Sequence, residues 1–423
     1  MSPKNLIALL QKRGVIDGLV AGTHEQFEQG PTRAYIGIDP TAPSMHIGHL
    51  LSMNLLRLLK QAGHHPVVVI GGATGMIGDP SFKNAERPLM TKEELFHNVA
   101  ALQQQITQLF EGDVLIFNNY DWFQKMDFLT FLRDIGKLIT VNYMMSKESV
   151  KRRLQSGLSY TEFAYQMLQA YDFYYLYQHE NVKMQLGGSD QWGNITTGIE
   201  LIRKKIGGRA FGFTTPLITK EDGQKFGKSE EGNIWLDPAL TSPYAFYQYW
   251  INISDRDAAM LMKRISLSDI QEIEAKIVQH AQVPHERLLQ RALAKEMTCL
   301  VHGQEAFERA KTTAAVLFGK TSTPLDVLDK TTFLEALQGI PILPVSVAQL
   351  GEMETVIDLI TTGTAHKICA SRREGQRLMG AGGLYINKQR VVGDSLQQLT
   401  WIYNEYLLVK RGKKHFFLIQ KHA

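Results

Sequence analysis

Short apolar runs alternate with helical patterns in the first half of the chain. Four runs have the length and composition of buried strands, and they lie at residues 34–38, 67–70, 114–117 and 182–186. Residues 47–61 carry leucines at helical spacing, and Thr91 with Glu94 predicts a capping box at the start of a later helix. Strands that alternate with helices predict parallel βαβ units in a doubly wound, Rossmann-like α/β sheet. The ligands of such a sheet bind at the carboxyl ends of its strands.

The pattern changes after about residue 240. Residues 254–318 are rich in Leu, Ala, Glu, Lys and Gln, which predicts a helical domain. Residues 320–344 contain three prolines and are expected to form a linker. Farther on, a helical pattern at 371–379 leads through a Gly-Gly pair into an alternating strand at 384–387. The predicted domains are an α/β domain at 1–235, an α-helical domain at 236–325 and a small α+β domain at 345–423.

Composition sets limits on the class of protein without naming a function. The 423 residues carry a formal net charge of +4, which is compatible with a polyanionic partner but does not require one. Cys299 and Cys369 form no C-x-x-C pair, so neither a structural zinc site nor a disulfide framework is expected. Residues 1–14 lack the apolar core of a signal peptide, and no run approaches the ~20 apolar residues of a membrane span. We therefore expect a soluble, cytoplasmic protein without a membrane segment or a dedicated metal site.

The first predicted strand leads into a turn that carries two histidines. Two prolines keep this turn out of regular helix, and the sequence His46-Ile47-Gly48-His49 then opens the helix. The histidines are three residues apart and share one helical face. A helix N-terminus favours a phosphate group because its N–H groups and its dipole are positive there. Capping or surface histidines are the simplest alternative, and a zinc pair lacks a third ligand nearby.

Three further segments have the composition of ligand-facing loops. One is a glycine-containing loop with two lysines, which favours a mobile cationic flap that meets the charge developing on a transferred phosphate. Another is a Gly-Gly-Ser-Asp-Gln-Trp sequence after a predicted strand, and the third begins with an Asp-Pro pair. Taken singly, the loop with the two lysines would by default be a solvated basic turn, and each of the other two segments could be an ordinary connecting loop. Their candidate side chains are Asp79, Lys83, Arg87, Asp190, Gln191, Lys225 and Lys228.

The predicted helix at residues 161–176 is mostly apolar and aromatic but carries one polar stripe. Tyr165, Gln169 and Asp172 fall at i, i+4 and i+7, so they share a face. An exposed stripe is the usual explanation for this spacing. The flanking apolar residues instead indicate a helix buried on several sides, and a buried carboxylate at Asp172 needs a partner.

Together these segments resemble the tyrosyl-tRNA synthetases of bacterial type, a family of class I aminoacyl-tRNA synthetases. Residues 46–49 match the family's His-Ile-Gly-His motif without change, and residues 225–229 resemble its Lys-Met-Ser-Lys-Ser loop. The loop departs from that motif at Phe226 and Gly227. Ile36 stands where some relatives carry Cys, so its side chain forms no hydrogen bond to the ATP ribose.

The resemblance implies an enzyme that activates L-tyrosine with ATP and then transfers the tyrosine to the 3′ end of tRNA(Tyr). It implies Mg²⁺ beside the ATP, no tightly bound cofactor, and a homodimer. The implied catalytic residues are Thr41, His46, His49, Lys83, Arg87, Lys225 and Lys228. The implied tyrosine site is Tyr35, Asp79, Tyr165, Gln169, Asp172 and Gln191. The implied ATP site is Gly37, Asp39, His46, His49, Asp190 and Lys228.

The C-terminal segment resembles the small S4-type RNA-binding fold. The basic residues that this resemblance implies for RNA contact are Arg372, Arg373, Lys410, Arg411, Lys413 and Lys414. A solubilising surface cluster is the alternative for those in the tail. The expected path of the tRNA acceptor stem is lined by Lys147, Lys151, Arg152, Arg203 and Lys204, although amphipathic helices often carry such charges.

Three rival functions stay open at this point. A tryptophanyl relative would share the fold, but Asp172 and Tyr35 favour a phenol over an indole. A catalytically silent RNA-binding protein would need neither the two histidines nor the two loop lysines. A small-molecule nucleotidylyltransferase would share the His-x-Gly-His turn but would have no use for the RNA-binding segment.

Overall fold

The structure is a computed structural model, and it describes residues 6–81, 90–148, 150–151, 157–218, 226–229, 232–318, 324–337, 340–412 and 415–423. Residues 228 and 229 are described by their backbone alone. Within these ranges, no helix is both long and apolar enough to cross a lipid bilayer.

A five-stranded parallel sheet forms the centre of the N-terminal part, as the alternating pattern predicts. Its strands are β1 (Arg33–Ile38), β2 (His65–Ile70), β3 (Leu115–Asn118), β4 (Val182–Gly188) and β5 (Phe211–Thr215). The four predicted runs agree with β1 to β4 within two residues, whereas β5 was not predicted. The strands lie in the order β3-β2-β1-β4-β5, so the order reverses between β1 and β4. In such a sheet, the ligand crevice opens beside the carboxyl ends of the two strands at the reversal.

The helices follow the predicted pattern most closely where the leucine periodicity is strong. The helix predicted at 47–61 has those bounds in the structure, and the box of Thr91 with Glu94 caps the next long helix. The helices of the N-terminal part are α1 (Leu6–Lys12), α2 (Thr23–Glu28), α3 (Ile47–Gln61), α4 (Lys92–Leu109), α5 (Tyr120–Phe123), α6 (Phe128–Asp134), α7 (Val141–Met145), α8 (Tyr160–Glu180) and α9 (Trp192–Ile206). Those that follow are α10 (Pro243–Asn252), α11 (Asp255–Ile265), α12 (Ile270–Gln282), α13 (Leu288–Phe318), α14 (Lys330–Ala336), α15 (Val347–Gly351), α16 (Val356–Ile360) and α17 (Arg372–Gly380).

Helix α8 carries the polar stripe into the core. The side chain of Ser159 caps its N-terminus, and Phe173 belongs to the buried cluster that α8 forms with β1 and β2. Tyr165 and Asp172 are each 4% exposed. The stripe therefore faces inward, which excludes the explanation that it is a solvated helix face.

The chain divides into two compact units, Met1–Thr241 with Tyr249–Val301 and Ser242–Gln248 with His302–Ala423. A short antiparallel pair, β6 (Lys228–Ser229) and β7 (Gly232–Asn233), belongs to the first unit. The second unit contains a second five-stranded sheet in the order β10-β9-β11-β12-β8. Its strands are β8 (Ile342–Ser346), β9 (Leu384–Ile386), β10 (Gln389–Arg390), β11 (Tyr406–Arg411) and β12 (His415–His422).

Residues 320–344 do not form the linker that their prolines predicted. Helix α14 lies in this segment, and its Phe333 is buried with its ring centroid 5.6 Å from that of Tyr403 and 6.1 Å from that of Tyr406. Strand β8 also begins in this segment and pairs with β12. Pro344 is tolerated in β8 because β8 is the edge strand of the sheet, where a missing N–H breaks no ladder bond.

Candidate active site

The two histidines of residues 46–49 are stacked at the start of α3. Their ring centroids are 4.0 Å apart, with 10° between the planes. The backbone N–H of His46 donates to Nδ1 of His49 at 3.3 Å, which places the ring hydrogen of neutral His49 on Nε2. Burial, together with the neighbouring His46, lowers the pKa of His49 to about 3. His49 therefore presents a hydrogen-bond donor rather than a cation at neutral pH.

Backbone hydrogen bonds join this histidine turn to the predicted cationic loop. The N–H of Ile47 donates to the carbonyl of Ile234 at 3.0 Å, and the N–H of Ile234 donates to the carbonyl of Gly227 at 3.0 Å. Gly227 has a φ of 90°, and a Cβ atom there would lie 3.3 Å from the backbone nitrogen of Gly48. The departure from the family motif at this position has a local cause, because a left-handed backbone and a close approach both favour glycine.

Phe226, the other departure from the motif, anchors the loop in an aromatic pocket. Its side chain is buried, and its ring centroid lies 5.8 Å from that of Tyr249 and 6.0 Å from that of Trp250. The hydroxyl of Tyr249 also accepts a hydrogen bond from the N–H of Gly227 at 3.2 Å. An apolar anchor is retained here although the residue is not Met.

Six of the cationic side chains predicted for the active site and for the C-terminal RNA contacts are not described. They stay predictions, and the structure describes no geometry for any of them. Lys228 is described by its backbone alone, and the others lie outside the described residues: Lys83, Arg87, Lys225, Lys413 and Lys414.

The carboxylate of Asp172 is buried and is held by two neutral donors. Nε1–H of Trp122 donates to Oδ1 at 2.9 Å, and Nδ2 of Asn119 donates to Oδ2 at 3.1 Å. Burial raises the pKa of Asp172 to about 8, against the opposite influence of both hydrogen bonds. The charged form is therefore costly in the free protein, and a further donor that approaches this carboxylate would stabilise it.

Tyr35 in β1 contributes a buried hydroxyl to the same region. This hydroxyl has no hydrogen-bond partner among the described residues. Its ring packs edge-on against Phe173, with 5.4 Å between centroids. Burial and the charge of Asp172 raise the pKa of Tyr35, so the two side chains interact electrostatically. A buried hydroxyl without a partner costs roughly 1–3 kcal/mol, and a ligand atom that accepts from it removes that cost.

A chain of hydrogen bonds leads from Asp172 to the end of β1. Asn119, which binds Asp172, also donates to the hydroxyl of Thr74 at 3.0 Å. The hydroxyl of Thr74 donates to Oδ1 of Asp39 at 2.9 Å, and that of Tyr165 donates to Oδ2 of Asp39 at 3.2 Å. The chain links side chains predicted for tyrosine binding to Asp39, which was predicted for the ATP site.

A second network joins the other predicted tyrosine-binding residues through amide groups. Nε2 of Gln191 donates to Oδ2 of Asp79 at 2.7 Å, and Nε2 of Gln169 donates to Oε1 of Gln191 at 3.1 Å. Asn194 donates to Oε1 of Gln169 at 3.0 Å. These side chains come from α8, from the segment after β4 and from the loop that begins near Gly78, and hydrogen bonds bring them together.

The remaining residues of the predicted ATP site, Gly37 and Asp190, and Thr41 of the predicted catalytic set lie at the ends of β1 and β4. Gly37 and Thr41 are exposed, and Asp190 is half-buried just after β4. A Cβ atom at Gly188 would lie 2.5 Å from Oδ1 of Asp190, and one at Gly48 would lie 2.7 Å from the ring of His46. Glycine at these positions keeps the backbone open beside the polar groups.

Two of the expected acceptor-stem lysines, Lys147 and Lys204, have partners within the protein. Lys147 lines a cleft of about 540 Å³ together with Asp190 and Trp192. Its Nζ donates to the hydroxyl of Tyr143 at 2.8 Å. Lys204 likewise donates to a backbone carbonyl at 3.0 Å. Arg152 lies outside the described residues, and the acceptor-stem path stays a prediction.

The predicted RNA-binding arginines of the second unit are partly engaged within the protein. Arg411 donates to Oε1 of Glu374 at 2.7 Å, and Arg372 forms an ion pair with Asp358. Arg373 is exposed. Arg411 therefore has a structural role in tying β11 to α17, whatever its role toward RNA.

The sequence interpretation missed four residues that build the pocket. Asn119 and Trp122 hold the Asp172 carboxylate, while Thr74 and Asn194 connect the predicted residues to one another. The available signal was position along the chain, because Asn119 follows directly after β3 and Thr74 lies just after β2. Polar residues at the carboxyl ends of neighbouring parallel strands are candidates for a ligand crevice.

Comparison with known proteins finds similarity along nearly the whole chain. Residues 27–319 match the family described as tRNA synthetases class I (W and Y), and residues 335–419 match the Tyrosine--tRNA ligase SYY-like C-terminal domain. The chain is 47% identical over 424 residues to a Tyrosine--tRNA ligase of Amoebophilus asiaticus, covering 98% of this chain and 99% of the relative. It is 48% identical over 428 residues to a Tyrosine--tRNA ligase of Bacteroides thetaiotaomicron, with the same coverage.

A solved structure gives the same result for the fold. The C-terminally truncated mitochondrial tyrosyl-tRNA synthetase of Aspergillus nidulans aligns with a TM-score of 0.67 at 29% identity, covering 74% of this chain and 94% of that one. The full-length similarity and the tyrosine-specific C-terminal match favour the tyrosyl over the tryptophanyl branch of the class I fold. They also exclude the silent RNA-binding and nucleotidylyltransferase alternatives. The chain therefore belongs to the bacterial tyrosine–tRNA ligases, a family of class I aminoacyl-tRNA synthetases.

Proposed function

We propose that this chain activates L-tyrosine with ATP and transfers it to tRNA(Tyr), and that Tyr35 and Asp172 select the tyrosine by its phenol hydroxyl. Two observations support the second part: the buried hydroxyl of Tyr35 has no partner among the described residues, and the buried carboxylate of Asp172 is held by two neutral donors. A phenol hydroxyl satisfies both groups at once, because it donates to Asp172 and accepts from Tyr35.

Competing amino acids satisfy fewer of these groups. The indole N–H of tryptophan can donate to Asp172 but offers no acceptor to the hydroxyl of Tyr35. Phenylalanine offers neither a donor nor an acceptor and leaves both buried groups without a ligand partner. A site built to hydrogen-bond a substrate hydroxyl discriminates strongly against analogues that lack it.

The α-ammonium group of the substrate binds among Asp79, Tyr165 and Gln169. The support for this proposal is that neighbouring amides hold the acceptors in place. Gln191 donates to Asp79, and Asn194 donates to the amide oxygen of Gln169. A side chain already held by a second residue loses little conformational entropy when the ligand arrives.

The reaction needs no protein nucleophile. The tyrosine carboxylate attacks the α-phosphate of ATP and expels pyrophosphate, and the terminal ribose hydroxyl of the tRNA then attacks the tyrosyl carbonyl and expels AMP. Catalysis consists of positioning and electrostatic stabilisation. Thr41 and His46 contact the pyrophosphate side, His49 donates from Nε2 to the adenosine ribose, and Asp190 contacts that ribose. The neutral state of His49 supports this donor role.

The charge that develops on the departing pyrophosphate is stabilised by cations from two loops. Lys83 and Arg87 come from one loop, and Lys225 and Lys228 come from the other. The backbone bonds between the histidine turn and residues 227 and 234 support the pairing of the second loop with the histidines. Mg²⁺ enters with ATP as part of the substrate. In the described part of the chain, no group of three or more His, Cys, Asp or Glu side chains is arranged to hold a metal.

The chain forms a homodimer through the surface of α6 and α7. Phe128 and Leu129 in α6 are 63% and 74% exposed, and Val141 in α7 is 62% exposed. Large apolar side chains at this exposure are typical of a protein–protein contact. Sedimentation of the purified chain tests this part, and a monomer at micromolar concentration would contradict it.

Amino-acid-dependent ATP–pyrophosphate exchange tests the proposed function. The purified chain is expected to exchange pyrophosphate with tyrosine, and to exchange far more slowly with tryptophan or phenylalanine at the same concentration. It is also expected to charge a tRNA(Tyr) transcript with tyrosine. Exchange with tryptophan at the rate seen with tyrosine would show that the pocket does not select a phenol.

A further inference from the structure

Two cationic and two aromatic side chains alternate across one face of the C-terminal sheet. The strand register pairs Arg390 with Tyr385, Tyr385 with Lys410, and Lys410 with Phe416. Residues directly opposite one another in antiparallel strands share a face. The four therefore form one line across β10, β9, β11 and β12, which we call the cation–aromatic row. Nζ of Lys410 lies 5.6 Å from the centroid of each aromatic ring.

The protein itself covers the rest of this face. Tyr406 lies on the same face as Lys410, four residues earlier in β11, and it packs against the buried Phe333 of α14. Leu408 and Leu418, between the two ends, are 2% and 1% exposed. The row is different, because its members are exposed or half-buried. Helix α14 therefore covers one end of this face, and the side chains of the row at the other end are accessible to solvent.

Gly382 leaves room for the cation at the edge of the row. A Cβ atom at this glycine would lie 2.2 Å from Nη2 of Arg390, and its φ is 70°. The guanidinium of Arg390 thus lies against bare backbone. A side chain at position 382 would displace this cation from the row.

The row is separate from the arginines at the start of α17. Lys410 and Arg411 are consecutive in a strand, so their side chains leave the sheet on opposite faces. Arg411 binds Glu374 of α17, and Leu378 of α17 packs on the core face of the sheet. Residues 372 and 373 therefore belong to the α17 side, and the row is a second surface.

We propose that the cation–aromatic row binds unpaired nucleotides of an RNA, with Tyr385 and Phe416 stacking on bases and with Arg390 and Lys410 meeting phosphates. This inference rests on the proposed function, which makes a tRNA the RNA that the chain meets. A surface that binds an RNA duplex needs only cations to contact its phosphates, because the bases of a duplex are stacked on one another and a protein ring cannot reach them. Alternation of cations with aromatic rings is instead typical of surfaces that bind single-stranded segments.

The geometry of the row fits two neighbouring bases. Adjacent strands are roughly 4.8 Å apart, so the two rings, one strand apart on either side of Lys410, are separated by roughly 10 Å. In the free protein, the ammonium of Lys410 rests against both rings. A cation–π contact at an exposed site is weaker than the stacking of a base on an aromatic ring. An arriving base therefore displaces the ammonium, which then meets a phosphate.

The test compares ring variants of the full-length chain for their affinity for a tRNA(Tyr) transcript. Tyr385→Leu and Phe416→Leu are each expected to bind it roughly 5- to 100-fold more weakly, while tyrosine-dependent pyrophosphate exchange stays at the parent rate. Tyr385→Phe keeps the ring and is expected to keep the affinity. Should Tyr385→Leu fail to fold, Phe416→Leu alone carries the test. Binding of a blunt-ended RNA duplex should not change in either ring variant.

A matched pair of lysine variants tests the charge. Lys410→Ala should weaken binding and lower the salt slope of the affinity by ~1. Lys421→Ala is the control, because Lys421 lies 4.9 Å from the ring of Trp401 on the other face of β12 and should leave binding unchanged. Ring variants that bind the transcript as well as the parent would overturn the proposal, and so would a loss in Tyr385→Phe equal to that in Tyr385→Leu. A parent chain that neither exchanges nor charges tRNA would instead refute the proposed function.

Discussion

Replacement of Asp172 by Asn removes a buried ionisable carboxyl group with almost no change of volume. The two donors that hold the carboxylate, Trp122 and Asn119, stay in place. The amide of the new residue has one oxygen, so it accepts from only one of these donors and turns its own NH₂ toward the other. The substrate hydroxyl then meets a neutral acceptor at best.

The expected loss follows from the strength of the bond that disappears. A hydrogen bond to a charged group contributes about 1.5–3 kcal/mol. At about 1.4 kcal/mol per factor of ten, kcat/KM for tyrosine should fall roughly 10- to 150-fold in Asp172→Asn above pH ~8, where Asp172 is ionised. Phenylalanine makes no such bond, so its kcat/KM should change little. The selectivity for tyrosine over phenylalanine should therefore fall by nearly the same factor as the activity with tyrosine.

The same variant has a predicted effect on stability. The pKa of Asp172 is about 8 in the folded protein, above its ordinary value of 3.8. A carboxyl group whose pKa rises on folding contributes stability that is present below pH ~4 and is lost as the pH rises through ~8. Asp172→Asn should remove this part of the pH dependence, so that the free energy of unfolding falls less steeply between pH 5 and pH 8.

Pyrophosphate exchange with both amino acids and urea unfolding at several pH values measure these effects. Asp113→Asn is the matched control, since the Asp113 side chain is 80% exposed and forms an ion pair with Lys60. It makes the same chemical change away from the pocket and should leave selectivity intact. If Asp172→Asn kept the selectivity of the parent, the role given to its carboxylate would be wrong.

Three other variants and one pH profile probe the remaining parts of the site. Trp122→Phe removes the 2.9 Å bond to Oδ1 of Asp172 and should raise KM for tyrosine by roughly 5- to 10-fold, with unchanged KM for ATP as the check. Gly227→Ala places a Cβ atom on a backbone with a φ of 90°, beside the nitrogen of Gly48, which costs ~1–2 kcal/mol. Tyrosine activation in this variant, measured by single-turnover kinetics, should be slower, while equilibrium dialysis should show normal tyrosine binding. Lys228→Ala should slow activation by ~2–4 kcal/mol with tyrosine affinity nearly intact, and normal pre-steady-state activation would exclude the flap role. In the parent, tyrosine affinity should rise with pH through about 8 as Asp172 ionises, and calorimetric titration should find this rise absent in Asp172→Asn.

The sheet and its ligand edge were predictable because their signals are local. Apolar runs of four or five residues separated by helices predict a parallel sheet, and helix α3 follows from leucine spacing alone. Strand β5 (Phe211–Thr215) escaped prediction because its glycine and its two threonines break the apolar run. Residues 320–344 were misjudged for a related reason. Proline predicts a loop locally, whereas an edge strand tolerates proline once another strand lies beside it.

The polar stripe of α8 could be named from the sequence, but its burial and electrostatics could not. The i, i+4, i+7 spacing placed Tyr165, Gln169 and Asp172 on one face, yet the sequence could not decide whether that face meets water or core. The stripe faces the core because residues far apart in the chain pack around it, and the sequence pattern of one helix does not contain that information. The neutral donors Asn119 and Trp122 come from the segment after β3, more than forty residues before Asp172. No local pattern connects them to the stripe.

The central claim is that Tyr35 recognises the phenol hydroxyl of the substrate. A thermodynamic cycle that removes the hydroxyl from the protein, from the substrate and from both tests this claim most directly. Tyr35→Phe deletes the buried hydroxyl of the protein, and phenylalanine in place of tyrosine deletes the hydroxyl of the substrate. We predict that Tyr35→Phe lowers kcat/KM for tyrosine by about 3- to 10-fold and leaves kcat/KM for phenylalanine unchanged, which gives a coupling of about 0.5–1.5 kcal/mol between the two hydroxyls. Equal losses with both substrates would mean that Tyr35 does not recognise the phenol.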